Sequence, residues 1–405
     1  MGVYEELGVK RLINAWGPMT IVGGSRMRPE VVAAMVEASE AFVDILDLQT
    51  RVGARIAELI GVEGAYVAGG CAAGLAIATA ACVAGTDRAR VFQLPDMAGL
   101  KNEVVIARCH RNTYDAAFRQ VGVKLVEIGN ARGFQDWELE AAIGPNTAAV
   151  AYVYARWTFD LPLSLAETVR IAQARGVPVI VDGAAEVPPF RNLGGLSQTG
   201  ADLVVISGGK GIMGPQNTGL VLGRPELIAA CAANASPNHS LGRSMKVGKE
   251  EMVGILKAVE LYVRQDHAAV ERRWREQVGH VLRALADAGG VRAVEDEAAY
   301  SEGIPVARLQ VDAKAVGKSA AEVAAELLAG EPGIRVGQQR DFLTVNPHFV
   351  EPGEERLIAE RLRQVLGVRA RHAPAAHGVV EKIIDRVARQ DHEVERAEHA
   401  AHNPV

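Results

Sequence analysis

Three short segments of this 405-residue chain set chemistry-bearing residues among glycines or at the end of an apolar run. The first is Gly69-Gly70-Cys71-Ala72-Ala73-Gly74, followed by the small apolar stretch 75–82. A helix N-terminus presents unpaired N–H groups and a positive dipole, and small residues let an anion reach the backbone. No Gly-Lys-Ser/Thr follows, so this is not a Walker loop. Close helix–strand packing would use the same glycines. The second segment is Val179-Ile180-Val181-Asp182-Gly183-Ala184-Ala185. A carboxylate at the C-terminal end of an apolar strand sits where open α/β sheets bind ligands. It could hold a metal, a ribose or a protonated ring nitrogen, or cap the next helix. The third is Val204-Val205-Ile206-Ser207-Gly208-Gly209-Lys210-Gly211. A lysine in a partly dehydrated cleft has a lowered pKa and becomes a nucleophile, whereas on a flexible loop it is merely a surface charge. Jointly, a phosphate cradle, an acid and a Schiff-base lysine are what pyridoxal phosphate requires.

These segments need elements to hold them. Apolar, β-branched runs at Glu103–Ala107, Lys124–Ile128, 148–154, 177–181 and 203–206 read as strands. Helical patterns at 113–121, 135–143 and 164–175 separate several of them. Nearly continuous apolar strands alternating with helices predict a parallel sheet covered on both faces. The run Gly219–Gly223 lies twelve residues beyond Ile206, with Gly and Pro between. That link is too short and too broken for a helical crossover, so this strand is expected antiparallel to its predecessor. Residues 30–60 read as helical from Pro29, which suits a first helical turn. The run 249–288 reads as one long helix or two, and 306–348 mixes strands and a helix before a helix at 352–366. The expected organisation is an N-terminal arm 1–28, a large domain 29–245, a smaller α/β domain 246–370 with its connecting helix, and a helical tail 371–405.

Composition bounds the function. Hydrophobic residues make up 49%, charged residues 23%, and 44 basic against 49 acidic residues leave a net charge of −5. This fits a folded chain with a large aliphatic core and gives no general basic excess for nucleic acid. No run of about 18 apolar residues predicts a membrane span. Glu5 and Glu6 lie where a signal peptide would be basic then apolar. Glu6 also stands where myristoylation prefers Ser or Thr. Cys71, Cys82, Cys109 and Cys231 form no CxxC pair, so neither a zinc ribbon nor a disulfide framework is expected. A cytoplasmic location follows as an expectation. His392 and His399 are seven residues apart, roughly 10 Å along a helix, too far to share one ion. No metal site is expected.

The ordered motifs resemble those of fold-type I pyridoxal phosphate enzymes in the branch related to bacterial selenocysteine synthase, and within it the D-glucosaminate-6-phosphate ammonia-lyase-like proteins. The carriers are Leu12-Ile13-Asn14-Ala15-Trp16-Gly17-Pro18-Met19-Thr20, Gly23-Gly24-Ser25 and the 69–74 turn. They continue through His110-Arg111-Asn112-Thr113-Tyr114-Asp115, the Asp182 and Lys210 segments, Gly214-Pro215-Gln216 and 242–250. The resemblance implies that Lys210 forms the Schiff base with pyridoxal 5'-phosphate and Asp182 pairs with its ring nitrogen. It also implies that Gly70, Cys71 and Ala72 hold the phosphate with help from Ser207, and that His110 stacks on the ring. Many relatives carry a histidine just after the aspartate, where Gly183, Ala184 and Ala185 stand here. Selenocysteine synthase has a tRNA-binding region ahead of its Asn-Ala-Gly-like motif, which here begins near residue 12. With the acidic balance, this favours a small-molecule substrate over charged tRNA.

The implied activity is α-proton removal and β-elimination from a small hydroxylated amino acid or amino sugar acid, with ammonia released. Transamination, aldol cleavage and racemisation share the same apparatus, and transfer on seryl-tRNA is the remote alternative. A substrate carboxylate calls for an arginine fork, and Arg340 and Arg243 are the candidates, with Thr20 near the cleft mouth. A homodimer or larger homo-oligomer is implied, with sites at the interface.

Overall fold

The computed structural model describes residues 2–298 and 302–368. Two sheets carry it. The larger has seven strands: β2 (Ala65–Ala68), β3 (Glu103–Ala107), β4 (Lys124–Ile128), β5 (Thr147–Val153), β6 (Val179–Asp182), β7 (Leu203–Ser207) and β8 (Gly219–Gly223). Their spatial order is β2-β8-β7-β6-β5-β3-β4. The pairs β3–β4, β3–β5, β5–β6 and β6–β7 are parallel. Strand β8 is antiparallel to both neighbours, as the short link from β7 predicts. All seven residues of β5 are buried, the mark of a strand covered on both faces.

One core lies on each face of this sheet. On one side the helix Cys71–Ala84 is buried nearly all round, and Gly74 lets it press on the strands: a Cβ there would stand 2.7 Å from Val205 and 3.2 Å from Val221. On the other side lie helices Pro29–Ser39, Ile45–Ile60 and Leu165–Ala174, together with Lys249–Val263. The helix expected over 30–60 is two helices. Asp44 interrupts it, accepting N–H bonds from Leu46 and Asp47 as the N-cap of the second. The expected helix at 113–121 is a 3₁₀ turn, Thr113–Asp115, and a four-residue helix, Ala116–Arg119. Asn112 starts that turn by accepting the Tyr114 N–H, the local side-chain bond that competes with a regular helix.

The smaller sheet has the order β1-β11-β12-β10-β9. Its strands are β1 (Leu12–Ala15), β9 (Val291–Glu297), β10 (Pro305–Val311), β11 (Gly333–Gln339) and β12 (Phe342–Val345). Strand β1 runs parallel to β11, and the other pairs are antiparallel. Helices His267–Ala284, Ala320–Ala329 and Glu354–Val365 cover its core. The two long helices therefore serve different cores: Met252, Ile255 and Val259 pack under the large sheet, whereas Val278 and Val281 pack under the small one. The helical tail expected at 371–405 lies outside the described residues.

Candidate active site

Strands β2, β6 and β7 all end at one edge of the large sheet, because β8 reverses between β2 and β7. That edge brings together the three segments singled out above. Asp182 is the last residue of β6 and is 7% exposed. Its Oδ1 accepts the Ala184 N–H at 3.1 Å and faces the Cys71 Sγ at 4.0 Å. Burial raises the Asp182 carboxyl above its usual range, while the Ala184 N–H and the Lys210 charge oppose the rise. Lys210 stands three residues beyond β7 in a half-buried turn. Its carbonyl accepts the Met213 N–H at 2.9 Å, closing that turn.

The 69–74 turn opens onto the same edge. Gly70 has φ +104°, a backbone conformation that glycine adopts without strain. It is the N-cap of the 14-residue helix Cys71–Ala84, with no side-chain cap on the first-turn N–H groups. Gly219 of β8 lies directly beneath, where a Cβ would meet the Gly70 carbonyl carbon at 2.6 Å and the Cys71 N at 2.8 Å. On its other flank, a Cβ on Gly69 would meet the Lys246 and Met245 carbonyls at 2.8 and 3.0 Å. The turn is thus cradled by backbone on two sides. Burial, with the Asp182 carboxylate adding, pushes the Cys71 thiol up, so it is a neutral packing group. Ser207 ends β7 opposite Gly219 and is half-buried. An uncapped helix start, a buried carboxylate and an amine at one sheet edge fit pyridoxal phosphate.

His110 is 1% exposed, its ring meets Tyr152 edge-on at 4.4 Å and Phe134 at 5.7 Å, and its Nδ1 accepts the Val153 N–H at 3.4 Å. Burial lowers its pKa to about 4, so it is neutral.

A cleft of about 600 Å³ opens between the large sheet's loops and the small sheet's elements. Gly211 and Met213, just beyond Lys210, line it, as do Arg26, Arg28, Arg191 and Arg273. Its lining stops short of Lys210 and Asp182 and does not include Arg243, Arg340 or Thr20. Arg340 is exposed at the β11–β12 hairpin with φ +54°. Arg243 is exposed in the segment that flanks Gly69, and Thr20 is exposed four residues before Gly24, which packs on the Gly209 carbonyl. The cleft arginines escaped notice because Arg26 and Arg28 precede a helix and Arg191 and Arg273 lie on helices, with no spacing that marks them.

Residues 20–274 match the family described as SelA, L-seryl-tRNA selenium transferase. The chain belongs to this family. Among its relatives, D-glucosaminate-6-phosphate ammonia lyase of Salmonella typhimurium is 37% identical over 371 residues, covering 90% of this chain and 97% of the relative. A 5'-C-glycyluridine monooxygenase-decarboxylase from Streptomyces is 36% identical over 382 residues, covering 90% and 92%. An L-seryl-tRNA(Sec) selenium transferase of Moorella thermoacetica is 25% identical over 415 residues, covering 90% and 84%. The solved structure of D-glucosaminate-6-phosphate ammonia-lyase superposes with a TM-score of 0.79 at 35% identity, covering 91% of this chain and 98% of that one. The α/β architecture is that of the fold-type I enzymes. Among the described residues, no helix is long and apolar enough to cross a membrane.

Proposed function

We propose that this SelA-family chain is a pyridoxal 5'-phosphate-dependent ammonia-lyase acting on a small hydroxylated amino acid or amino sugar acid. The observation that carries it is the meeting of Lys210, Asp182 and the uncapped helix start at Gly70 on one sheet edge. The relationship to D-glucosaminate-6-phosphate ammonia lyase supports the reaction class. Lys210 would hold the cofactor's aldehyde carbon and Asp182 its ring nitrogen; the N–H groups of Cys71 and Ala72 would take its phosphate, with the Ser207 hydroxyl beside them, while the Gly70 N–H is bonded to the Ala68 carbonyl at 2.8 Å and Gly70 shapes the turn. The cofactor supplies a sink for the electron pair left when a Cα–H bond breaks. The Lys210 amine would be the base that removes the Cα proton. Asp182 remains an anion beside a protonated ring nitrogen, and its burial strengthens that pairing.

The cleft sets its arginines among Glu271, Glu297, Glu302 and Glu351, with Arg26 paired to Glu351 and Arg191 to Glu302, so Arg28 and Arg273 are the guanidinium forks that would meet a substrate carboxylate or phosphate. Arg243, Arg340 and Thr20 are further candidate substrate contacts. Large apolar side chains are exposed along residues 21–46: Ile21, Val36, Phe42, Val43 and Leu46. Their exposure supports a homodimer, and the cofactor-binding body 29–245 would carry most of its contacts. We place the enzyme in the cytoplasm, acting on neither nucleic acid nor membrane.

The test is to supply purified protein and pyridoxal phosphate with D-glucosaminate 6-phosphate and a panel of D- and L-hydroxyamino acids. Keto acid and ammonia should form in equal amounts, without oxygen and without a keto-acid acceptor. Strict dependence on oxygen would instead give the chain the chemistry named for its Streptomyces relative. Stoichiometric conversion of the cofactor to its amine form would make it an aminotransferase.

A further inference from the structure

Glu186 stands four residues beyond Asp182 in the turn that leaves β6. It is 1% exposed, and its Oε2 is buried with no hydrogen-bond partner among the described residues. The backbone around it is fixed: the Glu186 N–H donates to the Gly183 carbonyl at 3.1 Å, and the buried Asn192 Nδ2 donates to the Glu186 carbonyl at 2.9 Å. The following residue abuts the lysine loop, because a Cβ on Gly211 would stand 2.0 Å from the Val187 carbonyl oxygen. The two turns thus touch one residue beyond Glu186 and one residue beyond Lys210.

The charges around Glu186 come from four elements. Lys210 acts from the loop after β7, Asp182 from the end of β6, and Glu302 from the small sheet's side. Tyr154, just beyond β5, feels both Glu186 and Glu302, and Arg191 pairs with Glu302. Burial pushes the Glu186 carboxyl up to about 8, with Glu302 and Asp182 adding and Lys210 opposing. At neutral pH the group is therefore mostly a protonated donor. A buried donor with no acceptor costs about 1–3 kcal/mol, a cost with no structural return visible here.

We propose that Glu186 is the general acid that protonates the oxygen leaving from the substrate's Cβ. This rests on the lyase reading above and adds a second proton-transfer group to it. The need is chemical: hydroxide is the conjugate base of an acid of pKa about 15.7 and leaves poorly unless protonated. The steps balance. Lys210 takes the Cα proton, and the electron pair left at Cα becomes the Cα=Cβ bond as the Cβ–O bond breaks. The Glu186 O–H proton joins the departing oxygen, which leaves as water. The resulting Glu186 carboxylate regains a proton from solvent, and no oxidant or reductant takes part.

The test compares wild type with Glu186→Gln in the full-length chain loaded with pyridoxal phosphate, using three readouts. With D-glucosaminate 6-phosphate, the variant should lose about 10²- to 10⁴-fold in elimination of the hydroxyl group. With β-chloroalanine (both enantiomers), whose chloride needs no proton, elimination should stay within a few-fold of wild type. Exchange of the substrate's α-hydrogen with deuterated water should also persist. Equal loss with both leaving groups, or undiminished loss of hydroxyl, overturns the proposal. If wild type itself neither exchanges the α-hydrogen nor eliminates, the lyase reading fails, and this role falls with it. Independently of turnover, infrared titration of the full-length chain without cofactor should show a buried protonated carboxyl that ionises near pH 8. Its absence at pH 7 overturns the proposal even if the variant does not fold.

Discussion

Gly219→Ala tests whether the turn at Gly70 is a phosphate cradle. The new methyl would lie 2.6 Å from the Gly70 carbonyl carbon, 2.7 Å from its oxygen and 2.8 Å from the Cys71 N. All three are backbone atoms, and ordinary contact begins near 3.4 Å, so the turn must retreat by about 0.8 Å or strand β8 must sink. Strand β8 is the less free to move, being bonded on both sides, with Gly219 opposite Ala68 and Ser207. A phosphate bond of about 2.9 Å stretched by that much is no longer a hydrogen bond. Losing one charge-assisted bond costs about 1.5–3 kcal/mol, which weakens cofactor binding about 10- to 150-fold. The assay is titration of the cofactor-free variant with pyridoxal phosphate, followed by absorbance. Urea denaturation without cofactor measures separately the ~1–3 kcal/mol expected from overpacking. Gly195→Ala is the control: nothing lies within 4 Å of a Cβ there, so binding should not change. Wild-type cofactor affinity in Gly219→Ala would refute the cradle.

Borohydride reduction of the yellow holoprotein should fix the cofactor on Lys210, and mass spectrometry finding it on another lysine would remove that residue's role. Asp182→Ala should bind the cofactor weakly and turn over about 10²- to 10³-fold more slowly, with Asp182→Asn retaining more cofactor; unchanged turnover in the alanine variant contradicts the ring-nitrogen pairing. His348 is buried against Phe349 and Trp274, and burial lowers its pKa to about 3. The unfolded chain takes up its proton near pH 6.5 while the folded chain does not, so its stabilising contribution holds above 6.5 and is lost as pH falls toward 3. The full loss should be on the order of 5 kcal/mol, and His348→Phe should flatten it in urea titrations; an unaltered acid profile would sink this account. Phe42→Asp should shift the particle from dimer toward monomer in light scattering, whereas a wild type already monomeric at working concentration would refute the interface.

The site was largely legible because its chemistry leaves local marks. A lysine among glycines after an apolar run, and an aspartate closing another, are visible without any tertiary contact. The direction of β8 was legible too, since link length decides it. Other features depend on distant partners. Strand β1 is only four residues long and finds its place through β11, far along the chain. The orientation of His110 is set by Tyr152 and Phe134, which its own segment does not encode. Glu186 has one charged letter among Ala, Val and Pro, and only folding shows that its carboxyl is enclosed and unpartnered. The cleft arginines belong to three separate stretches that meet only when both sheets have formed.

Strand β1 has a consequence for how the protein comes into being. Leu12 pairs with Gly333, so about 320 residues must be synthesised between the two. At roughly 5–20 residues per second, β1 waits about 15–60 s outside the ribosome before its partner emerges. The seven-stranded sheet, whose strands lie wholly between these two points, can close during that interval. The nascent chain would then carry a finished cofactor edge with a loose leader beside it, through which Gly24 has yet to settle on the Gly209 carbonyl. Docking of β1 onto β11 ends that state, so one of the first segments translated must wait for one of the last strands to pair.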